Sequence, residues 1–174
     1  MTDMSRKTFW SVIESVRWAN RYGITKFWML RMDSDDLLDR DHVEFLNNLD
    51  TKKVRAVFNR KCHMFDPTTG EIAEHRYPYS TTCNALFMEI DKSGVVHPDW
   101  YYHCRNHTTF YGDVKKDKIP ALETDWTLCI LTNTGNSISG RPPLREEKRI
   151  QIIKRSKELD LKYGLGALDG FASV

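Results

Sequence analysis

Apolar residues recur at three- and four-residue steps near the start of the chain: Phe9, Val12, Ile13, Val16 and Ala19. That spacing predicts an amphipathic helix over about 8–22, stopped by Gly23. The pattern then changes to an unbroken, largely apolar run, Lys26 to Met32, which reads as a buried strand. It ends in Asp33-Ser34-Asp35-Asp36, and a second helix is expected over about 40–49, with Asp39 or Asp41 as its cap. Short apolar runs predict further strands at 54–58, 61–65, 71–77, 84–90 and 126–131. Asp66-Pro67-Thr68-Thr69-Gly70 is the turn of a hairpin, because Pro presets one dihedral and Gly accepts a positive φ. Asp91-Lys92-Ser93-Gly94 and the polar stretch 132–140 read as turn and loop. After Pro142-Pro143, a solvated amphipathic helix is expected from 144 to 163, ending at Gly164. Helix, strand, acidic turn, helix, strand is the rhythm of a layered α/β domain.

Composition narrows the class. The 174 residues suit one domain, and 40% hydrophobic with 29% charged residues argues against disorder. No apolar run approaches the roughly 20 residues of a membrane-spanning helix. Residues Met1 to Lys7 lack the apolar stretch of a secretory leader. A net charge of +2 creates no field that would gather nucleic acid. The C-terminal helix carries eight basic residues between Arg141 and Lys162, but four acidic ones interrupt them, against a membrane or nucleic-acid face. The expectation is a cytoplasmic protein with a core over 1–141 and a basic segment, 142–174, packed on the same domain. Cys62, Cys83, Cys104 and Cys129 form no CxxC pair and suit buried thiols, although Cys104 and His107 have a ligand-like spacing.

The chemistry concentrates in Arg31-Met32-Asp33-Ser34-Asp35-Asp36, where three carboxylates follow directly on an apolar strand. Ligands of open α/β sheets bind beyond the carboxyl ends of strands. Carboxylates this close repel one another, and a divalent cation relieves the repulsion; Mg²⁺ commonly takes one or two carboxylates plus phosphate oxygens. The same aspartates also fit an exposed turn that caps the following helix.

Residues 31–38, Arg-Met-Asp-Ser-Asp-Asp-Leu-Leu, resemble the aspartate motif of nucleotide-sugar glycosyltransferases of the GT-A fold, and more narrowly the Arg-Leu-Asp-x-Asp-Asp-Ala signature of the putative rhamnosyltransferase family. Tyr77-Pro78, Ala85 to Glu89, His107 before Thr109-Phe110, and Trp126 to Leu131 followed by Asn136-Ser137-Ile138 are similar to later segments of that family, in the same order. The resemblance spans about 8–141 and implies a GT-A-like, Rossmann-like mixed sheet flanked by helices. It leaves the family's first nucleotide-binding β/α units without a counterpart, since only 25 residues precede Lys26. The family's His-Gly pair is replaced by Thr132-Asn133-Thr134-Gly135.

By that resemblance the chain, or the fragment it represents, moves a sugar from a nucleotide-diphosphate donor to a glycan or other hydroxyl acceptor with Mn²⁺ or Mg²⁺. Asp35 is then the first metal ligand, Asp33 contacts the ribose or the metal, Asp36 is a further ligand, and Arg31 faces the phosphates. An inverting transfer also needs a general base, for which Asp125, Glu123 and Glu89 are candidates. For each of them a surface or helix-capping acid is the stronger reading. Trp100, Tyr101 and Tyr102 suit sugar stacking or a buried aromatic hinge. A partner chain would supply the base- and ribose-binding half. The rival is a binding or assembly module that keeps the scaffold without catalysis. A metal-dependent phosphohydrolase is weaker, for want of a second ligand cluster.

Overall fold

The computed structural model describes residues 13–33, 36–81, 83–91, 107–132, 144 and 150–169. Asp35, Trp100 to Tyr102, Cys104, Pro142-Pro143 and the 133–140 loop lie outside the described residues.

The architecture is mixed α/β: a curled, seven-stranded mixed sheet flanked by helices. Helix α1 (13–21) ends where Gly23 adopts φ +67°. The amides of Ile24 and Gly23 fold back to the carbonyls of Ala19 and Asn20 at 2.9 and 3.1 Å, a Schellman stop. Strand β1 (Lys26–Arg31) follows and pairs antiparallel with β5 (Asn84–Glu89), Lys26 facing Glu89 and Arg31 facing Asn84.

At the centre lies β3 (Ala56–Asp66), one continuous strand where the sequence pattern suggested two. The polar Asn59-Arg60 reads as a break, but the buried Asn59 amide donates to Thr127 Oγ1 at 2.5 Å and accepts from Thr81. Its hydrogen bonds are satisfied, so the strand runs through. The first part of β3 pairs with β5 and its second part with β4 (Glu71–Arg76), across the predicted hairpin turn. There Gly70 adopts φ +71° and its amide bonds Asp66 O at 2.8 Å.

On its other side β3 pairs in parallel with β6 (Ala121–Leu131), five residues longer at its start than predicted. Those five alternate between exposed and half-buried, so their apolar content is too low to read as a run. Strand β2 (Asp36–Leu38) pairs with β6, Asp36 facing Ile130. Asp36 thus starts a strand instead of ending a turn.

The predicted 144–163 helix is corrected. Among its described residues, Ile150–Ile153 form β7, an edge strand on β4, and Lys157–Tyr163 form the α-helix α4, N-capped by Ser156 and stopped by Gly164 at φ +70°. The open edge of β4 supplies ladder hydrogen bonds that outweigh the helical periodicity of the isolated segment.

Helices cover both faces. Helix α3 (His107–Lys116) packs Phe110 and Val114 on Ala56, Phe58, Leu86 and Met88. Helix α2 (His42–Asn47) sets Leu46 against Val57 and Ala85. Tyr163 of α4, with Leu165, packs on Phe65, Ile72 and Cys129. Cys62, Cys83 and Cys129 are buried free thiols. Among the described residues no helix is long and apolar enough to cross a membrane.

Candidate functional site

The acidic turn leaves the carboxyl end of β1, as expected of a ligand-binding turn in an α/β sheet. Asp33 is exposed, and its carbonyl accepts from the Asp36 amide at 3.2 Å. Asp36 differs: it is 7% exposed. Burial pushes the Cys83 thiol up to about 12, and the nearby Asp36 charge adds to the rise; it also adds to the rise at Cys129. Among the described residues no group of three His, Cys, Asp or Glu side chains is arranged to hold a metal ion. Of the expected set of Asp33, Asp35 and Asp36, Asp33 is exposed and Asp36 buried, while Asp35 lies outside the described residues. Arg31 stands at the end of β1, half-buried and opposite the buried Asn84.

The three candidate bases lie apart. Glu89 faces Lys26, five residues back from Arg31 and so about 16 Å along β1 from the turn. Arg55 Nη1 lies 2.6 Å from one Glu89 oxygen and Lys26 Nζ 3.0 Å from the other. The hydrogen bond from Arg55, then that from Lys26, holds the carboxyl below its usual range. This pairing latches β1 to β5 at the end of the ladder away from the acidic turn. Glu123 lies 3.9 Å from Arg60 on the outward side of β6. Asp125 Oδ2 accepts from Lys61 Nζ at 2.6 Å, and its Oδ1 takes no hydrogen bond from the described residues.

Asp125 opens onto a cleft of about 340 Å³ lined by Asp39, Asp41, His42, Phe45, Thr124 and Thr127 as well. A bulge makes this cleft. Between Lys61 and His63, β3 advances two residues while β6 advances four, from Asp125 to Cys129. Trp126 there adopts φ +62°, a left-handed conformation that costs a side-chain-bearing residue on the order of 1 kcal/mol. In a regular strand Thr124 would face away from Asp125 and Thr127; the bulge lets all three line one hollow. Strand β2 carries the chain from the acidic turn to this cleft: the Asp39 amide bonds Thr127 O at 2.9 Å, three residues and about 10 Å beyond Asp36. Neither predicted cap uses its side chain on the α2 amides. Asp39 Oδ1 instead accepts from the Asp41 amide at 3.1 Å, while Asp41 makes no side-chain cap hydrogen bond.

Neutral groups support the bulge. The Tyr163 hydroxyl donates to Trp126 O at 2.5 Å, so at its 2.8 Å contact with His63 Nδ1 the ring nitrogen is the donor. Burial, with Lys162 nearby, pulls His63 down to about 4. His42, 3% exposed, is likewise lowered by burial, partly offset by Asp39, and its buried Nδ1 has no partner among the described residues. Sequence patterns did not mark this cleft, although Asp39-Arg40-Asp41-His42, dense in polar groups where a capping residue alone is needed, was a local signal.

A larger hollow of about 520 Å³ between α1 and β1 is apolar, walled by Trp18, Phe27, Trp28 and Leu30, and gathers little chemistry. No protein-family model matches the chain, and no curated protein or solved structure has significant similarity to it.

Proposed function

We propose that the chain is a metal-dependent transferase of the nucleotide-sugar type, or the metal- and acceptor-bearing part of one. The observation that supports it is the juxtaposition of two features along β2. An exposed aspartate turn sits at the carboxyl end of β1, and a carboxylate-lined cleft opens about 10 Å further on. Asp33 and Asp35 hold the cation, and Arg31 faces the donor's phosphates. Bound Mn²⁺ or Mg²⁺ would neutralise charge on the departing diphosphate. Asp125, through the oxygen not engaged by Lys61, takes the acceptor hydroxyl's proton. A partner chain or segment supplies contacts to base and ribose.

A second reading, a binding module without catalysis, is favoured by the burial of Asp36 and by the ion pair on Asp125. Calorimetry with Mn²⁺ and UDP, GDP or dTDP separates the two. The transferase reading expects Mn²⁺-dependent binding that is lost in Asp33→Asn and Asp35→Ala and kept in Asp36→Asn. No binding with or without metal would leave the module reading.

A further inference from the structure

We propose that the outer edge of β1 takes up an extended segment of a partner protein as an added strand, acidic at the end that meets Arg21 and Lys26. This goes beyond the transferase reading and does not depend on it.

The hydrogen-bond pattern leaves that edge open. The Ile90 amide donates to Thr25 O at 2.8 Å, which makes Thr25 and Ile90 a hydrogen-bonded pair. Such pairs alternate along an antiparallel ladder, so Phe27, Met29 and Arg31 turn their main-chain groups toward β5. Lys26, Trp28 and Leu30 turn theirs outward. The Phe87 amide has the same phase: opposite Trp28, it points away from β1 and donates to Arg55 O at 2.9 Å. Among the described residues no strand lies beyond β1. Natural sheet edges are blunted by brevity, proline, a bulge or lysines along their length. Strand β1 instead has six residues in unbroken register, with Phe-Trp-Met-Leu at its middle.

The hollow of about 520 Å³ lies along this edge. Four successive residues, Phe27 to Leu30, line it, although successive side chains point to opposite faces of a sheet. A space touching both sets lies beside the strand and not over one face. Phe27 and Met29 pack with the α3 cluster and Trp28 and Leu30 with the α2 cluster, yet all four stay half-buried. In the neighbouring β5, every residue from Asn84 to Met88 is buried. Glu14, Ser15, Trp18 and Ala19 of α1 form the far wall.

Dimensions and charge choose the occupant. Spread over four residues, about 13 Å of strand, the volume gives a channel of about 40 Å² in section. That admits the main chain of one extended segment. It does not admit the β1 of a second copy, which brings its own α1 alongside. Arg21 is exposed, touches the face of Tyr22 at 6.0 Å, and has no anionic partner among the described residues. The Lys26 side chain is 66% exposed. The other end of β1 runs into the acidic turn at Asp33, so a carboxylate on the incoming segment belongs at the Arg21 and Lys26 end. Main-chain hydrogen bonds to Lys26, Trp28 and Leu30 hold the segment, and its alternate side chains meet the apolar walls.

The test uses the ¹⁵N-labelled full chain and two probes, acetyl-Val-Thr-Val-Thr-Val-Thr-Asp-Glu-amide and acetyl-Glu-Asp-Thr-Val-Thr-Val-Thr-Val-amide. Each has a counterpart with lysines in place of the acids. One acidic probe, whichever runs in the fitting direction, should shift the amides of 26–30 saturably and slow hydrogen exchange at Lys26, Trp28 and Leu30. Its lysine counterpart should bind about fivefold more weakly, the scale of one exposed charge interaction. Arg21→Glu, a change at an exposed position, should reverse that preference. No shift at 26–30 with either acidic probe overturns the proposal. So does equal binding of acidic and lysine probes, or a preference unchanged in Arg21→Glu. Protection of the Lys26, Trp28 and Leu30 amides in the free chain overturns it as well. If that protection rises with protein concentration, a second copy occupies the edge; if it does not, the chain's own residues do.

Discussion

Glu89 and Asp125 are both strand carboxylates paired with a lysine, yet their surroundings differ. Beside Glu89, two cations, Arg55 and Lys26, close over a sheet edge. Behind Asp125 the support is uncharged: Asn59 bonded to Thr127 and Thr81, and His63 bonded to Tyr163, which in turn holds the Trp126 carbonyl. Desolvating a charge costs far more than desolvating an amide or a neutral imidazole. The half-exposed edge therefore tolerates ions, while the interior under the cleft is built from neutral groups. The cleft's integrity depends on those groups remaining neutral, and the edge's depends on ionisation.

Acidification should strain this difference most. His63 has a folded pKa of about 4 against about 6.5 when unfolded, so between those values the unfolded chain binds the extra proton and stability falls with pH. The loss begins below about pH 6.5, is complete near pH 4, and amounts to about 3 kcal/mol. Urea unfolding at pH 7 and pH 4.5, on the natural chain and on His63→Gln, measures it. The natural chain should lose markedly more stability between the two pH values; equal losses would mean that His63 is not held neutral by burial.

Cutting the other neutral support comes next. Asn59→Ala removes the donor to Thr127 on β6 and the acceptor of the Thr81 hydroxyl ahead of β5, both buried. Unfolding in urea should show a cost of about 2 kcal/mol. Amide shifts should spread to the cleft residues 124–127, because Thr127 is both a network member and a wall of the cleft.

The same contrast explains what could be read from the chain. Elements bounded by local chemistry were legible: the stop at Gly23, the 66–70 turn and the end at Gly164 each follow from a residue whose backbone preference decides the matter. The strand before the aspartates was legible because it is apolar throughout. The continuity of β3 through Asn59 was not, because the partners that satisfy its amide come from Thr81 and Thr127, remote in sequence. Nor was β7, whose ladder is supplied by β4. Of the candidate site, the turn was visible but the burial of Asp36 was not, since it depends on the pairing of β2 with β6. The cleft needed that pairing and a bulge together, and neither leaves a periodic mark.

A third change addresses the cleft's own carboxylate. Asp125→Asn keeps the shape and loses the charge, and the pair it removes is a partly exposed one with Lys61. Its stability in urea should shift by no more than about 0.5 kcal/mol. Large destabilisation instead would place Asp125 with Glu89, as a fastener between strands.

The smallest effect belongs to that fastener. Glu89→Gln removes two ion pairs on a carboxylate whose side chain is 34% exposed, so solvent screening limits the cost to about 1 kcal/mol at pH 7. The folded pKa of Glu89 is lowered, mainly by the Arg55 hydrogen bond and next by Lys26, so its stabilisation is present above the unfolded value and lost as pH falls through the folded one. The natural chain and Glu89→Gln should accordingly differ at pH 7 and converge in acid below the ordinary glutamate range. That is the opposite setting from His63, whose penalty is absent at neutral pH and grows on acidification. Amide shifts in Glu89→Gln should stay out of 124–127, because the β1–β5 end contributes no wall to the cleft. Shifts spreading to 124–127 would show that the two regions are coupled through β3 instead of independently held.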